Sequence, residues 1–139
     1  MNDRALRTAV VALALAGAAV AAYVFSARLG GTTLYCATGG CETVQNSRYA
    51  EIFGIPVAAL GVVAYLVLAA SVLAGDTGRV VGAAVALAGA VFGVYLLVLQ
   101  LTVIEAVCTW CLVNDVIAML LVAATVLRLR GEPGPVRHA

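Results

Sequence analysis

Residues 108–111 read Cys-Thr-Trp-Cys and open an apolar run over 106–127. Two cysteines so close can cycle between dithiol and disulfide. The thiolate is the reactive form, and a helix N-terminus stabilises it through its free N–H groups and dipole. Cys108 and Cys111 are three apart, which places them on one helix face, and Asp115 falls four beyond Cys111 on that face beside Asn114. A carboxylate about two turns inside an apolar helix is costly and normally lines a cavity or a pathway. Asp115 is suited to accept or relay a proton; the blander alternative is a hydrogen bond to a neighbouring helix, with Gln100 as a partner. Trp110 reads as an ordinary interfacial aromatic with no catalytic role.

A second pair, Cys36 and Cys41, flanks Gly39 and Gly40. Four cysteines in two close pairs allow three pairings. The blandest reading of Cys36/Cys41 is a disulfide that pins a loop. The sharper reading is a mobile pair that exchanges with a soluble thiol protein and passes electrons on to Cys108/Cys111 through mixed disulfides. A third reading puts the four thiolates around a zinc ion. On an oxidising side of a membrane, thiols tend to oxidise instead, so no metal is expected. The favoured reading is the shuttle.

The elements that must position these residues are apolar. Of 139 residues, 64% are hydrophobic and 11% charged, and the net charge is +1. The mean hydropathy is +1.09. So few charges cannot keep a soluble surface wet, which makes this a membrane protein of one domain. The near-neutral balance argues against nucleic acid as a partner.

The hydropathy predicts an all-α membrane protein, a bundle of four transmembrane helices with spans at about 8–27, 56–74, 80–104 and 106–127. The first uncharged stretch is about 30 Å long as a helix and reads as a retained span rather than a cleaved signal. An outer loop over 28–55 carries a short surface helix over 42–53, with Val44, Tyr49, Ile52 and Phe53 on its apolar side. Pro56 suits a first helical turn. Residues 75–79 form a short connector between antiparallel spans. Gly82, Ala86, Gly89 and Gly93 lie near one face, which is expected to pack inside the bundle. Glu105 marks a tight turn. The tail 128–139, with Arg128, Arg130, Arg137, His138, Pro133 and Pro135, reads as disordered. Arg4, Arg7, Arg79, Arg128, Arg130 and Arg137 fall on one side and only Arg28 and Arg48 on the other. That imbalance puts both termini in the cytoplasm and both cysteine pairs outside it, in a multi-pass protein of the inner (cytoplasmic) membrane.

The loop segment CETVQNSRYAEIFGIPVAALG, with Cys36 ahead of it and CTWC opening the last span, resembles the vitamin K epoxide reductase (VKOR) family in its bacterial form. The likeness runs from the first span to Leu127, as a single domain. It implies a four-helix bundle around a quinone, capped by a short helix after the loop cysteines. It implies that Cys111 lies next to the quinone, that Cys108 pairs with Cys111 and is attacked by Cys41, that Cys36 exchanges with the thiol partner, and that Ser47 supports catalysis. The expected quinone contacts are Cys111, Asp115, Asn114, Phe53 and Pro56, and the quinone is menaquinone, ubiquinone or vitamin K. Many bacterial relatives carry a fused thioredoxin-like domain; here the expected partner is a separate DsbA-like or thioredoxin-like protein. The expected activity is thiol–quinone oxidoreduction in support of disulfide-bond formation. The alternatives are a non-catalytic membrane module with a structural loop disulfide, and reduction of vitamin K epoxide or quinone as the main role. Animal members have a tyrosine where Asp115 stands and an asparagine where Ala50 stands, so the resemblance supports quinone reduction better than epoxide reduction.

Overall fold

The structure, a computed structural model, describes residues 2–31 and 35–131. Five α-helices dominate: α1 Asp3–Gly30, α2 Cys41–Gln45, α3 Val57–Ser71, α4 Gly75–Leu99 and α5 Thr109–Arg130. Between α2 and α3 lie a 3-10 turn, Arg48–Ala50, and a hairpin of β1 Glu51–Ile52 with β2 Ile55–Pro56, paired antiparallel.

Helix α1 starts where the Asn2 side chain accepts the Ala5 N–H at 2.7 Å and ends at Gly31 in the left-handed conformation. Its buried residues are Leu6, Val10, Ala14, Gly17, Ala21, Val24 and Ala27, spaced by three and four, so one small-residue stripe faces inward. It packs against α3 and α5, and α4 closes the ring by packing against the same two helices. Val10, Ala14, Ala21, Tyr65, Leu68, Ala86, Ile117 and Leu121 fill the centre. Large apolar side chains such as Leu15, Val63, Leu87, Val91, Val98, Met119 and Leu120 point outward, as a lipid solvent permits.

Three of these helices are long and apolar enough to cross a membrane: α1, α4 with its continuation to Ile104, and α5. The second expected span is shorter than the 56–74 predicted. Helix α3 has 15 residues, about 22 Å. Pro56 does not occupy its first turn but ends β2, one residue ahead of the helix. The expected connector 75–79 is also revised, because it forms the first turns of α4 and the chain reverses over 72–74 instead.

The helix expected over 42–53 is five residues long and breaks at Asn46. Ser47 is extended, and the chain then makes the 3-10 turn and the hairpin. Phe53 and Gly54 both have positive φ, 52° and 81°. That is the twist of a two-residue hairpin turn, which a helix cannot contain. Phe53 consequently sits at the tip, 99% exposed, rather than on a buried face.

The fourth span starts later than 106. The end of α4 widens into a π turn, Gln100–Ile104, closed by Glu105 in the left-handed region (φ 58°) and by the Ala106 N–H bonding to the Gln100 carbonyl at 3.1 Å. Cys108 is extended and caps α5. Arg128 and Arg130, expected in a disordered tail, belong to the last turn of α5, and Arg128 is buried. Pro133, Pro135, Arg137 and His138 lie outside the described residues.

Charges gather at the two ends of the bundle. At one end the Asp3 carboxylate lies 2.9 Å from Arg79 and 3.8 Å from Arg128, tying α1, α4 and α5 together. At the other, Arg28 pairs with Glu51 and donates to the Gln45 carbonyl, holding the hairpin and α2 against the end of α1.

Candidate active site

Both cysteine pairs stand at the Arg28 end. Cys36 and Cys41 are joined in a disulfide, and Cys108 and Cys111 are thiols. With the first two joined, a four-thiolate zinc site lacks half of its ligands. Cys41 and Cys108 are both 0% exposed and share one cluster with Val24, Ala27 and Val44, whereas Cys36 is partly open to solvent.

The loop reaches Cys108 because several contacts dock it on the start of α5. The Thr109 hydroxyl accepts the Thr38 N–H at 3.0 Å, and the Thr38 hydroxyl donates to the Val107 carbonyl. The Trp110 indole N–H donates to the Tyr35 carbonyl, and its ring meets Tyr23 edge-on at 5.0 Å. Trp110 thus clasps the loop. Gly40 lies against the Val107 backbone with no room for a Cβ.

Cys108 is held from both sides. Its N–H donates to the side-chain carbonyl of Gln100 at 2.7 Å, and its sulfur accepts the Cys111 N–H at 3.4 Å. The Gln45 amide donates toward both sulfurs, at 3.8 Å to Cys108 and 3.5 Å to Cys111. Cys108 lies ahead of the membrane-crossing helix, and its thiol is pulled below the ordinary cysteine range. The largest cause is the hydrogen bond with the Cys111 side chain; burial opposes it, and the Cys111 N–H, the Gln45 amide and the Trp110 N–H add to it.

Beneath the sulfurs lies a cavity of about 280 Å³. Cys111, Asn114, Asp115 and Ser47 line it; Phe53 and Pro56 do not, although their neighbours Ile52 and Val57 do. The expected small face of α4 divides here. Gly82 is buried in packing, while Gly89 and Gly93 line the cavity with the buried Ala86. At Gly93 a Cβ would collide with Asp115, whereas at Gly89 it would meet open space. Small residues therefore open a chamber as well as letting helices approach.

Asp115 is not bonded to Gln100, which is engaged with Cys108. Its Oδ2 is buried and has no hydrogen-bond partner among the described residues. Ser47 donates its hydroxyl to the Val44 carbonyl at 2.7 Å, closing the end of α2. Tyr65 donates to the Asn114 side-chain carbonyl from the wall of the cavity.

Gln45 and Tyr65 are the site residues that sequence reasoning missed. Gln45 follows Cys41 by four, the spacing of one helix face. Tyr65 is a lone phenol in an apolar span. Both signals were present.

A helical bundle with two cysteine pairs at one end, and one of the four cysteines on the wall of an apolar cavity, is the architecture of a multi-pass membrane oxidoreductase. The model of the vitamin K epoxide reductase family matches residues 8–126 of the 139. The chain belongs to that family. No curated protein sequence matches it.

Proposed function

We propose that this protein is a thiol–quinone oxidoreductase. It would reoxidise a thioredoxin-fold protein of the DsbA type through Cys36/Cys41 and Cys108/Cys111, passing the electrons to a membrane quinone and so supporting disulfide-bond formation. The observation that carries the reading is the graded exposure of the sulfurs: Cys36 partly open, Cys41 and Cys108 buried together, Cys111 on the cavity wall.

Each exchange then follows from position. A partner thiolate attacks Cys36, the reachable sulfur, and the partner leaves as a disulfide while Cys36 and Cys41 become thiols. The Cys41 thiolate attacks Cys108 of a Cys108–Cys111 disulfide, releasing Cys111 as a thiolate. Cys36 then attacks Cys41, restoring the outer disulfide and freeing Cys108. The structure has the redox state that this sequence ends on, an outer disulfide above an inner dithiol.

The cavity suits a quinone head: apolar walls, glycines along α4, the Cys111 thiol at the top and an unpartnered Asp115 oxygen. A bound quinone supplies a two-electron, two-proton acceptor. Asp115 holds or moves a proton at Oδ2, and Tyr65 and Asn114 shape the wall. Ala50 lines the cavity and offers only a methyl group, which favours quinone over epoxide as the substrate. An acceptor about 100 mV more oxidising than the partner favours transfer by roughly two thousandfold. The arginines at the Asp3 end support a cytoplasmic placement of both termini in the inner membrane, with the cysteines outside.

The test is stopped-flow reduction of a soluble quinone analogue by a reduced thioredoxin-fold donor. Cys108→Ala and Cys111→Ala are each expected to abolish it. Substantial turnover in either variant defeats the relay, and a loop disulfide that affects stability alone would indicate the non-catalytic module.

A further inference from the structure

Gln45 has no place in the exchange steps above, yet among the described residues it is the one side chain that donates to both inner sulfurs. Its helix explains why. Helix α2 begins at Cys41 and ends at Gln45, so the two residues lie one turn apart on the same face. Whatever seats Cys41 in one buried cluster with Cys108 also brings the Gln45 amide to both inner sulfurs. The seat is fixed from outside, because Arg28 donates to the Gln45 backbone carbonyl and pairs with Glu51.

We propose that Gln45 is a catalytic residue that stabilises the thiolate charge at the Cys108–Cys111 pair, making the loop helix both the carrier of the attacking sulfur and the donor to the departing one. This inference rests on the relay described above. When Cys41 attacks, a Cys41–Cys108 bond forms, the Cys108–Cys111 bond breaks, and the electron pair stays on Cys111. Gln45 is the nearer to that sulfur, at 3.5 Å. A neutral amide suits the task, since it donates to a thiolate without forming an ion pair that would hold it. Hydrogen bonds to charged groups are the stronger kind, and a leaving thiolate departs faster when it is stabilised.

The prediction is read without quinone or partner. In purified protein with the outer disulfide intact and the inner pair reduced, thiolate absorbance near 240 nm is followed against pH. Asp115, Tyr49 and Tyr65 are the other titratable groups lining the cavity, so the titration is repeated with Asp115→Asn and with Tyr49→Phe and Tyr65→Phe, whose phenolates would absorb at the same wavelength. Gln45→Leu and Gln45→Met, close in volume to glutamine, are expected to raise the midpoint by about one pH unit, a tenfold loss of thiolate. An unshifted midpoint in either folded variant overturns the proposal. In the unmodified protein, the side-chain amide signals of ¹⁵N-labelled Gln45 should move with that same midpoint, and amide signals indifferent to it would overturn the proposal equally. Failure here leaves the relay standing, because the relay is judged by turnover of the cysteine variants.

Discussion

The side-chain carbonyl of Gln100 accepts the backbone N–H of Cys108 at 2.7 Å, joining the π turn that ends α4 to the cap that begins α5. Both groups are buried, with Gln100 1% exposed. Replacing Gln100 by leucine leaves an N–H without a partner in a water-poor site, a cost of about 1–3 kcal/mol. Thermal unfolding in detergent should show the loss. The same variant should slow reoxidation of the donor, because the Cys108 backbone is no longer held in place. A variant with unchanged melting would mean that the turn is held by other contacts.

Gly93 and Gly89 line the same cavity but face different neighbours. At Gly93 an added methyl meets Asp115, while at Gly89 it enters open space. Gly93→Ala is therefore expected to displace the carboxylate and lower kcat. Gly89→Leu should fill the chamber and chiefly raise KM for the quinone analogue. Steady-state kinetics separates the two, and equal effects on both parameters at both positions would count against the assignment of the chamber.

Exposure orders the loop sulfurs. After mild reduction of the outer disulfide, a membrane-impermeant maleimide should label Cys36 ahead of Cys41, since Cys41 is 0% exposed and Cys36 is not. Peptide mass spectrometry at short times measures the order. Faster labelling of Cys41 would reverse the roles proposed for the two cysteines.

At the opposite end, Asp3 serves two guanidinium groups, Arg79 and the buried Arg128. Removing one partner of a buried ion pair is costly, but Asp3 is itself about a third exposed, which moderates the loss. Asp3→Asn should destabilise the bundle by about 2 kcal/mol and leave the cysteine chemistry intact. Unfolding and donor turnover measured on one preparation test both halves of that statement.

Much of this was legible in the chain itself. Long uncharged runs demand helices that can sit in lipid, because backbone groups there must bond within their own segment. The arginine asymmetry separates the Arg28 end from the Asp3 end, and the motif around CTWC carries the family likeness that the match over 8–126 bears out. Details that depend on turns were less legible. The segment 42–53 has a helical apolar pattern, but Phe53 and Gly54 take positive φ and form a hairpin. Arg128 looks like a tail residue until the Asp3 carboxylate, far away in the chain, comes within 3.8 Å of it at the bundle end.

The sequence by itself determined that the chain is an apolar helical protein with two close cysteine pairs and a carboxylate one turn beyond the second, because those properties follow from composition and local spacing. Only the tertiary structure decided that Gln45 reaches both inner sulfurs and that Gly89, Gly93 and Asp115 bound one cavity. Those relations join residues dozens of positions apart, and helix packing, not hydropathy or spacing, sets which of them meet.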